Sequence, residues 1–357
     1  SDPQLVGSGT PQQGAFRELN PADFLSRDEV TLDTDQISGY LTGKTVLVTG
    51  GGGSIGSELC RQVMRFKPGK LLIFDIYENC AYELLMELQQ KYGRDIPVTV
   101  LIGSIRDKKR LDEVFETYHP TVVFHAAAHK HVPLMEVSPA EAVKNNVLGT
   151  KNLLVSASEH DVERFVQLST DKAVNPTSVM GCTKRICEML IQTFAGNTDM
   201  KCVAVRFGNV LGSHGSVIPL FEAQIKKGGP VTLTDPNIER YFMTIPEAAQ
   251  LVLQAGALAE SGNIYVLDMG EPVKIMDLAK QLIRFYGYEP GVNMEIKIVG
   301  LRPGEKLYEE LMMDEEQDKM RRTQHNKIFV ASPRSIDLAE FYGQLQELAA
   351  AAEHNDE

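Results

Sequence analysis

The sequence has no tryptophan, only five cysteines, and fewer basic than acidic residues. The cysteines form no C-x-x-C pair and none of the spacings of a zinc site or a disulfide framework, so we interpret them as reduced cytoplasmic thiols. Lysine and arginine number 36 against 48 aspartates and glutamates, which gives a net charge of −12. This balance argues against nucleic acid or an anionic membrane surface as a partner, because phosphate binding needs a basic field.

Long apolar runs are also missing. None approaches the roughly 18 residues that a membrane helix needs, and no signal peptide is visible at the start. We therefore expect the chain as given to be soluble. Residues 1–16, rich in Gly, Ser, Pro and Gln, predict a disordered tail or an expression remnant. Residues 17–43 are irregular, with short apolar groups, and predict an arm that packs on the following domain.

Regular alternation begins at residue 44. Through residue 206, continuous apolar strands alternate with helical patterns, which predicts α/β architecture with a doubly wound parallel Rossmann sheet covered on both faces. After residue 207 the rhythm loosens and Gly and Pro become frequent. Residues 207–352 therefore predict mainly a smaller C-terminal substrate-binding lobe, from which the chain crosses back to the sheet. Ligands bind at the carboxyl edge of such a sheet.

The first strand-to-helix connection carries a glycine-rich loop. The glycines at 50, 53 and 56 give G-x-x-G-x-x-G between a β-branched run and a helical pattern. The first permits a tight turn, the second lets the backbone approach a pyrophosphate, and the third lets the helix pack on the strand. The helix N-terminus adds free N–H groups and a positive dipole. The loop therefore predicts a dinucleotide site.

Acidic residues at the end of the second strand predict which dinucleotide is bound. Asp75 lies 25 residues beyond Gly50, where a carboxylate accepts hydrogen bonds from the adenosine ribose and repels a 2′-phosphate. This favours NAD over NADP, and Glu78 adds to the bias. Residues 103–107 follow the third strand, where the adenine edge would be read, and the small side chains of 126–128 allow close approach of the cofactor.

The stretch Ser169–Lys184 decides the chemistry. Met180 and Lys184 are four residues apart on one helical face, the spacing of the Tyr-x-x-x-Lys pair of short-chain dehydrogenases/reductases. A thioether cannot take up a proton at neutral pH, so the chain is either inactive or uses another acid and base. Asp171 and Lys172, at the strand tip, are the candidates.

Other polar groups are more ambiguous. His125, His129 and His131 do not predict a metal site, because no nearby cysteine or carboxylate completes a ligand set. Lys130 would face a ribose or phosphate group, or is an ordinary surface lysine. The asparagines at 145 and 146 interrupt a helical pattern and need partners, for which the catalytic loop is the nearest candidate.

The C-terminal lobe offers amide, cation and carboxylate groups at Asn209, Arg240 and the run 301–307. They suit a nucleotide with a diphosphate and a ribose, and structural salt bridges are the alternative.

Six motifs carry a resemblance over about residues 43–312: T-G-G-G-G-S-I-G-S-E, F-H-A-A-A-H-K-H-V-P-L-M-E, N-N-V-L-G-T-K-N-L-L, S-T-D-K-A-V-N-P-T-S-V-M-G-C-T-K-R, R-F-G-N-V-L-G-S-H-G-S-V-I-P and L-R-P-G-E-K-L-Y-E-E-L. Together they resemble the extended short-chain dehydrogenase/reductase superfamily, and within it the bacterial polysaccharide-biosynthesis proteins that act as UDP-N-acetylglucosamine 4,6-dehydratases. The larger, membrane-anchored branch of that family has methionine at the tyrosine position, as Met180 is here. In that branch, an arm like residues 20–43 follows membrane helices.

The resemblance implies roles for individual residues. Thr170 orients the sugar hydroxyl, Asp171 is the general acid, Lys172 removes the C5 proton, and Lys184 holds the nicotinamide ribose. With the residues identified above, the expected NAD site comprises Gly50, Gly53, Ser54, Ile55, Gly56, Asp75, Glu78, Ser104, Ile105, Ala126, Ala127, Ala128, Lys130, Asn145 and Lys184. The expected UDP-sugar site comprises His131, Asn209, Val217, Arg240, Arg302 and Glu305.

The resemblance further implies that C5 keeps its configuration and that the catalytic portion is cytoplasmic in a parent protein of the bacterial inner membrane. We also expect a homo-oligomer. Two alternatives remain open. A UDP-sugar 4-epimerase would share cofactor and substrate, but would leave the Asp171–Lys172 pair without a role. A non-catalytic NAD-binding protein would explain the missing tyrosine, but would leave the Thr-Asp-Lys triplet and the nucleotide site as coincidences.

Overall fold

The computed structural model describes residues 19–356, so the predicted tail at 1–16 and the first two residues of the arm lie outside the described residues. The remaining arm contains a 3₁₀ turn, Pro21–Phe24, and helix α1, Thr34–Leu41. The hydroxyl of Tyr40 donates to the carbonyl of Leu253 at 2.6 Å, and Arg27 pairs with Glu247 at 2.8 Å. These contacts hold the arm against the domain that follows it.

The central element is a nine-stranded sheet in the order β14-β15-β11-β6-β5-β4-β1-β2-β3. Its strands are β1 Thr45–Thr49, β2 Lys70–Asp75, β3 Val98–Ile102, β4 Val122–His125, β5 Arg164–Leu168, β6 Lys201–Arg206, β11 Ile264–Leu267, β14 Arg321–Arg322 and β15 Ile328–Ala331. Pairing is parallel from β3 across to β11, and β15 and β14 close the edge antiparallel. The predicted Rossmann sheet is confirmed.

Helices cover both faces because the strands are apolar on both sides. They are α2 Ser54–Arg65, α3 Glu78–Tyr92, α4 Lys108–Tyr118, α5 Val132–Val137, α6 Pro139–Ala142, α7 Gly149–Glu159, α8 Val179–Asn197, α10 Ile245–Leu258, α12 Asp314–Gln317 and α13 Leu338–Glu353. One helix differs from expectation: residues 139–159 do not form a continuous α-helix, because a π-helical turn, Val143–Leu148, separates α6 from α7. None of the helices in residues 19–356 combines the length and apolar character needed to cross a bilayer.

A smaller set of elements lies beyond β6 and has its own apolar core, which includes Phe221, Ile225, Leu282 and Met294. It consists of β7 Asn209–Leu211, α9 Val217–Lys226, β8 Val231–Leu233, β9 Glu239–Arg240, β10 Phe242–Thr244, β12 Val273–Lys274, α11 Ile275–Phe285 and β13 Ile296–Ile298. The strands pair in three two-stranded sheets, β7 with β10, β8 with β13 and β9 with β12. The division of the chain at residue 207 stays a prediction, because α10, β11, β14, β15 and α13 return to the large sheet.

Candidate functional site

One cavity of about 980 Å³ runs along the carboxyl edge of the sheet and continues under the smaller set of elements. Its walls include the residues that follow β1, β4, β5 and β6. Most of the predicted site residues line it: Gly50, Gly53, Ser54, Ile55, Gly56, Asp75, Ser104, Ile105, Ala126, Ala127, Ala128, Lys130, His131, Asn145, Thr170, Lys172, Met180, Lys184, Asn209, Val217, Arg240, Arg302 and Glu305. Two predicted residues, Asp171 and Glu78, are not among them.

The glycine-rich loop has no room for side chains. Gly50 has a φ of +62°, and a Cβ atom there would lie 2.7 Å from the backbone nitrogen of Ala127. A Cβ atom on Gly56 would lie 2.0 Å from the carbonyl oxygen of Gly50. Helix α2 starts after Gly53 without a side-chain cap, so its first N–H groups are available to an anion. The loop fits the pyrophosphate of a dinucleotide.

Asp75 ends β2 with both carboxylate oxygens anchored. Oδ2 accepts from the backbone N–H of Gly52 at 2.9 Å, and Oδ1 accepts from that of Tyr77 at 2.9 Å. The carboxylate is thereby fixed at the cavity wall, where the sequence predicts the adenosine ribose. Glu78 is different, because it is exposed in the first turn of α3 and does not line the cavity. The structure therefore gives no support to its expected part in cofactor selection.

The loop after β4 is held by the side-chain amide of Asn146, for which the sequence analysis predicted a different partner. Asn146 accepts from the N–H of His129 at 2.8 Å and donates to its carbonyl at 2.9 Å and to the hydroxyl of Thr183 at 3.0 Å. Its partners are therefore the loop after β4 and helix α8, not the catalytic loop. Asn146 lies in the π-helical turn, which points its side chain in a different direction from that in a regular α-helix.

His125 is a buried core residue. Its Nδ1 lies 2.6 Å from the hydroxyl of Thr49, and its Nε2 lies 2.8 Å from that of Thr150. Burial, with a smaller contribution from the nearby Lys184 ammonium, lowers the pKa of His125 to about 3. The imidazole is therefore neutral at physiological pH and links β1, β4 and α7.

The catalytic candidates form a hydrogen-bonded cluster at the tip of β5. The Nζ atom of Lys172 donates to Oδ1 of Asp171 and to Oδ1 of Asn209, both at 2.9 Å. The hydroxyl of Thr170 donates to the same Asp171 oxygen at 3.1 Å. Asp171 is fully buried, and its Oδ2 has no hydrogen-bond partner among the described residues. Lys172 and Thr170 face the cavity, and Asp171 lies behind them.

The tyrosine position behaves as apolar core. Met180 is 3% exposed and packs with Met135 and Ala142, although it still borders the cavity. One turn later, the Nζ atom of Lys184 donates to the carbonyl of Leu168 at 2.7 Å. Burial lowers the pKa of Lys184, against the opposing effects of Cys187 and Glu188. Helix α8 therefore presents a fixed amine, but no proton acceptor, at this point of the cavity.

The far end of the cavity carries the predicted nucleotide residues. Arg240 donates to the carbonyl oxygens of Lys306 at 2.7 Å and Leu307 at 3.2 Å, and lies 3.5 Å from Glu305. Glu305 also accepts from the backbone N–H of Arg302 at 3.0 Å. Arg302 and Glu305 border open space at the cavity wall, whereas Arg240 is largely committed to organising residues 305–307.

His214 and Glu309 are among the cavity residues that the sequence analysis did not single out. His214 accepts from Lys130 Nζ through its carbonyl at 3.1 Å, and its Nδ1 lies 3.2 Å from the hydroxyl of Ser54, so it connects the glycine-rich loop with the loop after β4. Glu309 borders the cavity with its carboxyl group buried. Only its position in L-Y-E-E-L, directly after the run that carries the nucleotide residues, could have indicated it.

Comparison with known proteins identifies the family of the chain. Residues 46–333 match the model of a family described as polysaccharide biosynthesis protein. The chain is 56% identical over 308 residues to the capsular polysaccharide biosynthesis protein CapD of Staphylococcus aureus. The aligned residues make up 86% of this chain and 51% of CapD. The chain thus spans about half the length of that relative.

Smaller relatives are named as enzymes. An inverting UDP-N-acetylglucosamine 4,6-dehydratase of Campylobacter jejuni is 34% identical over 74% of this chain and 76% of its own. A UDP-glucose 4-epimerase of Rickettsia canadensis is 36% identical over 77% of this chain and 80% of its own. Overall identity therefore does not separate the two reactions.

Solved structures share the fold. Pen from Bacillus thuringiensis has a TM-score of 0.76 at 32% identity, covering 86% of this chain and 98% of its own. DesIV of Streptomyces venezuelae, a dTDP-glucose 4,6-dehydratase solved with NAD, has a TM-score of 0.67 at 20% identity, covering 85% and 96%. Its cofactor agrees with the one that the glycine-rich loop and Asp75 predict here. The chain belongs to the polysaccharide biosynthesis protein family, with the extended short-chain dehydrogenase/reductase fold.

Proposed function

We propose that the chain is an NAD-dependent 4,6-dehydratase of UDP-N-acetylglucosamine that acts in glycan biosynthesis. One observation carries the proposal: the position of the usual tyrosine is occupied by buried Met180, while Lys172 presents an amine to the same cavity from a cluster with Asp171 and Asn209. An enzyme that removes a carbon-bound proton needs such a cavity-facing base. A 4-epimerase removes no carbon-bound proton, because its C4 hydrogen leaves as hydride, and it therefore needs no base at C5.

The cofactor supplies oxidation at C4 and, later in the cycle, reduction at C6. Oxidation at C4 releases the hydroxyl proton, and Thr170 is suited to pass it on because its own hydroxyl donates to Asp171. The C4 ketone acidifies the C5 proton, which Lys172 then removes as the base. The C6 hydroxyl leaves as water with the proton that Asp171 received, and a double bond remains between C5 and C6. After reduction at C6, Lys172 returns a proton to C5 and yields the 4-keto-6-deoxy sugar.

Asp171 reaches the substrate only through Thr170 and Lys172, which line the cavity. Its carboxyl group is fully buried, does not line the cavity, and already accepts from Lys172 and Thr170 through Oδ1. The geometry favours Asp171 as the acceptor of the C4 hydroxyl proton and as the residue that holds Lys172. Retention of configuration at C5 is consistent with one base that both removes and returns the proton.

The fate of two hydrogens tests the proposal. UDP-N-acetylglucosamine deuterated at C4 should give a product labelled in the C6 methyl group, and turnover in D₂O should place deuterium at C5. NMR of the product measures both. A 4-epimerase would instead return the label to C4 and leave C5 unexchanged. A protein that only senses NAD would give no product.

The location of the full-length protein is a separate proposal. We propose that this chain is the cytoplasmic catalytic portion of a longer protein anchored in the bacterial inner membrane. The proposal is supported by the length of CapD, of which the chain covers 51%, and by a Methanocaldococcus jannaschii relative, 47% identical over 84% of this chain, that is named as a membrane protein. The homo-oligomer expected from the resemblance stays a prediction.

A further inference from the structure

The loop between β7 and α9, residues 212–216, reaches the expected cofactor site. Residues 213–216 all line the cavity. The backbone N–H of His214 donates to the hydroxyl of Ser54 at 3.3 Å, and the imidazole Nδ1 lies 3.2 Å from the same hydroxyl. Ser54 is the first residue of α2, the helix whose N-terminus fits a pyrophosphate. The loop is therefore attached to the phosphate-binding helix.

The same loop also contacts the segment after β4. Lys130 Nζ donates to the carbonyl of His214 at 3.1 Å. The ring of His131 lies against Gly215, where a Cβ atom would be 2.6 Å from Cε1 of the imidazole. Gly215 has a φ of +71°, so a side chain there would be strained as well as crowded. Because Lys130 and His131 line the cavity too, the loop joins separate parts of the cavity wall.

Both ends of the loop lead to the substrate side of the cavity. The strand before it, β7, carries Asn209, which accepts a hydrogen bond from Lys172 at 2.9 Å. The helix after it, α9, begins at Val217, a residue of the expected UDP-sugar site. Ser216 lines the cavity, and its buried hydroxyl has no hydrogen-bond partner among residues 19–356. The loop thus connects the catalytic cluster and the expected sugar-nucleotide site with the phosphate-binding helix.

We propose that residues 212–216 form a clasp at the pyrophosphate site, in which the contact between His214 and Ser54 slows the release of NAD. In the proposed reaction, the hydride taken from C4 returns to C6, so the cofactor ends each cycle in its original oxidation state and need not be exchanged. Slow release is therefore compatible with fast turnover. The purpose of the clasp rests on the proposed function, but release of NAD is measured without substrate, so the two can fail separately.

The rate of NAD release tests the clasp. The full chain is loaded with NAD, freed of unbound cofactor and mixed with ethanol and excess alcohol dehydrogenase, so that NADH absorbance reports the cofactor as it is released. We expect His214→Ala to release NAD about two- to tenfold faster than wild type, the effect of losing one neutral hydrogen bond. His354→Ala is the control and should release NAD at the wild-type rate, because His354 is exposed at the end of α13 and does not line the cavity.

A double-mutant cycle shows whether His214 and Ser54 act on the cofactor together. Ser54→Ala removes the hydroxyl that the imidazole contacts, and should also speed release. If the two side chains act through one contact, His214→Ala should have little further effect in the Ser54→Ala background. His214→Asn is the conservative variant: its side-chain amide can still hydrogen-bond to Ser54, so it should release NAD more slowly than His214→Ala.

The outcomes separate the clasp from a structural role of the loop. Heat unfolding of the NAD-free variants at position 214 should match that of the wild type, because His214 is exposed. Equal release from His214→Ala and His354→Ala, or an undiminished effect of His214→Ala in the Ser54→Ala background, would overturn the clasp. The expected release pattern without any conversion of UDP-N-acetylglucosamine by the wild type would instead support the clasp and overturn the dehydratase function.

Discussion

Lys172 Nζ lies 2.9 Å from Oδ1 of Asp171 and donates a hydrogen bond to it. Lys172 lines the cavity, whereas Asp171 does not. The two residues are adjacent in sequence, but a 3₁₀ turn, Asp171–Ala173, gives them different environments. The side chain of Lys172 keeps 22% of its surface exposed, whereas that of Asp171 keeps none. The turn therefore divides the pair into an amine at the cavity and a carboxylate behind it.

This division predicts unequal effects of substitution. Lys172→Ala should lower kcat by about 10²- to 10⁴-fold, because the variant lacks the proposed base at C5. Met180→Ala should cost less, because the thioether takes no part in proton transfer and its removal only loosens a small apolar cluster. Steady-state rates of ketosugar formation measure both variants. Small and equal effects at the two positions would place the chemistry elsewhere.

Cofactor choice should depend on Asp75. Wild-type protein should bind NAD in preference to NADP, and Asp75→Asn should reduce that preference roughly ten- to a hundredfold, since a charged hydrogen-bond acceptor contributes about 1.5–3 kcal/mol. Calorimetric titration with both dinucleotides measures the ratio. Glu78→Gln is the control and should leave the ratio unchanged, because Glu78 does not line the cavity. Mostly NADP released by heating the wild-type protein would contradict the role of Asp75.

Stability should fall in mild acid because of His125. Its pKa is about 3 in the folded protein and about 6.5 in the unfolded chain, so below pH 6.5 the unfolded state binds one more proton. This residue should therefore remove about 1.4 kcal/mol of unfolding free energy per pH unit between pH 6 and 4. Urea unfolding across this range should show a shallower dependence for His125→Asn.

The control for this titration is His119→Asn. His119 is exposed and left-handed at the end of α4, a conformation that asparagine also adopts. This variant should keep the wild-type pH dependence. Equal slopes for wild type and His125→Asn would show that the imidazole is protonated without unfolding.

The stability of the protein should depend on Glu316, which belongs to a buried ionic network. Arg206 is fully buried and pairs with Glu188 at 2.7 Å and with Glu316 at 2.8 Å. Glu316→Ala should lower the unfolding free energy by about 3–5 kcal/mol, because removal of one partner weakens the compensation of a buried charge. Glu315→Ala removes a neighbouring exposed carboxylate and should have a much smaller effect in the same denaturant titration. Similar losses in both variants would contradict the network's role.

Local patterns were sufficient to predict the sheet, the glycine-rich loop and a large share of the residues that line the cavity. The reason is that apolar strands and glycine spacing follow from sequence-local constraints. The burial of Asp171 could not be predicted, because its exposure depends on the turn that follows β5 and on Phe207 and Gly208, which approach from β6. Glu309 was missed because its surroundings include Asp171, Lys172 and Arg240, which are far from it in the sequence. The predicted partner of Asn146 was wrong, because a π-helical turn has no reliable sequence signal.

The sheet order also bears on how the chain can be shortened. The outer edge of β6 is hydrogen-bonded to β11, which lies almost sixty residues later in the chain, and β11 is in turn covered by β15. A fragment that ended at residue 206 would expose an apolar strand with unpaired backbone groups, which promotes aggregation. The large sheet is thus completed only after the ribosome has passed the smaller set of elements that follows β6. Proteolytic or genetic separation of the two should yield insoluble pieces rather than independent modules.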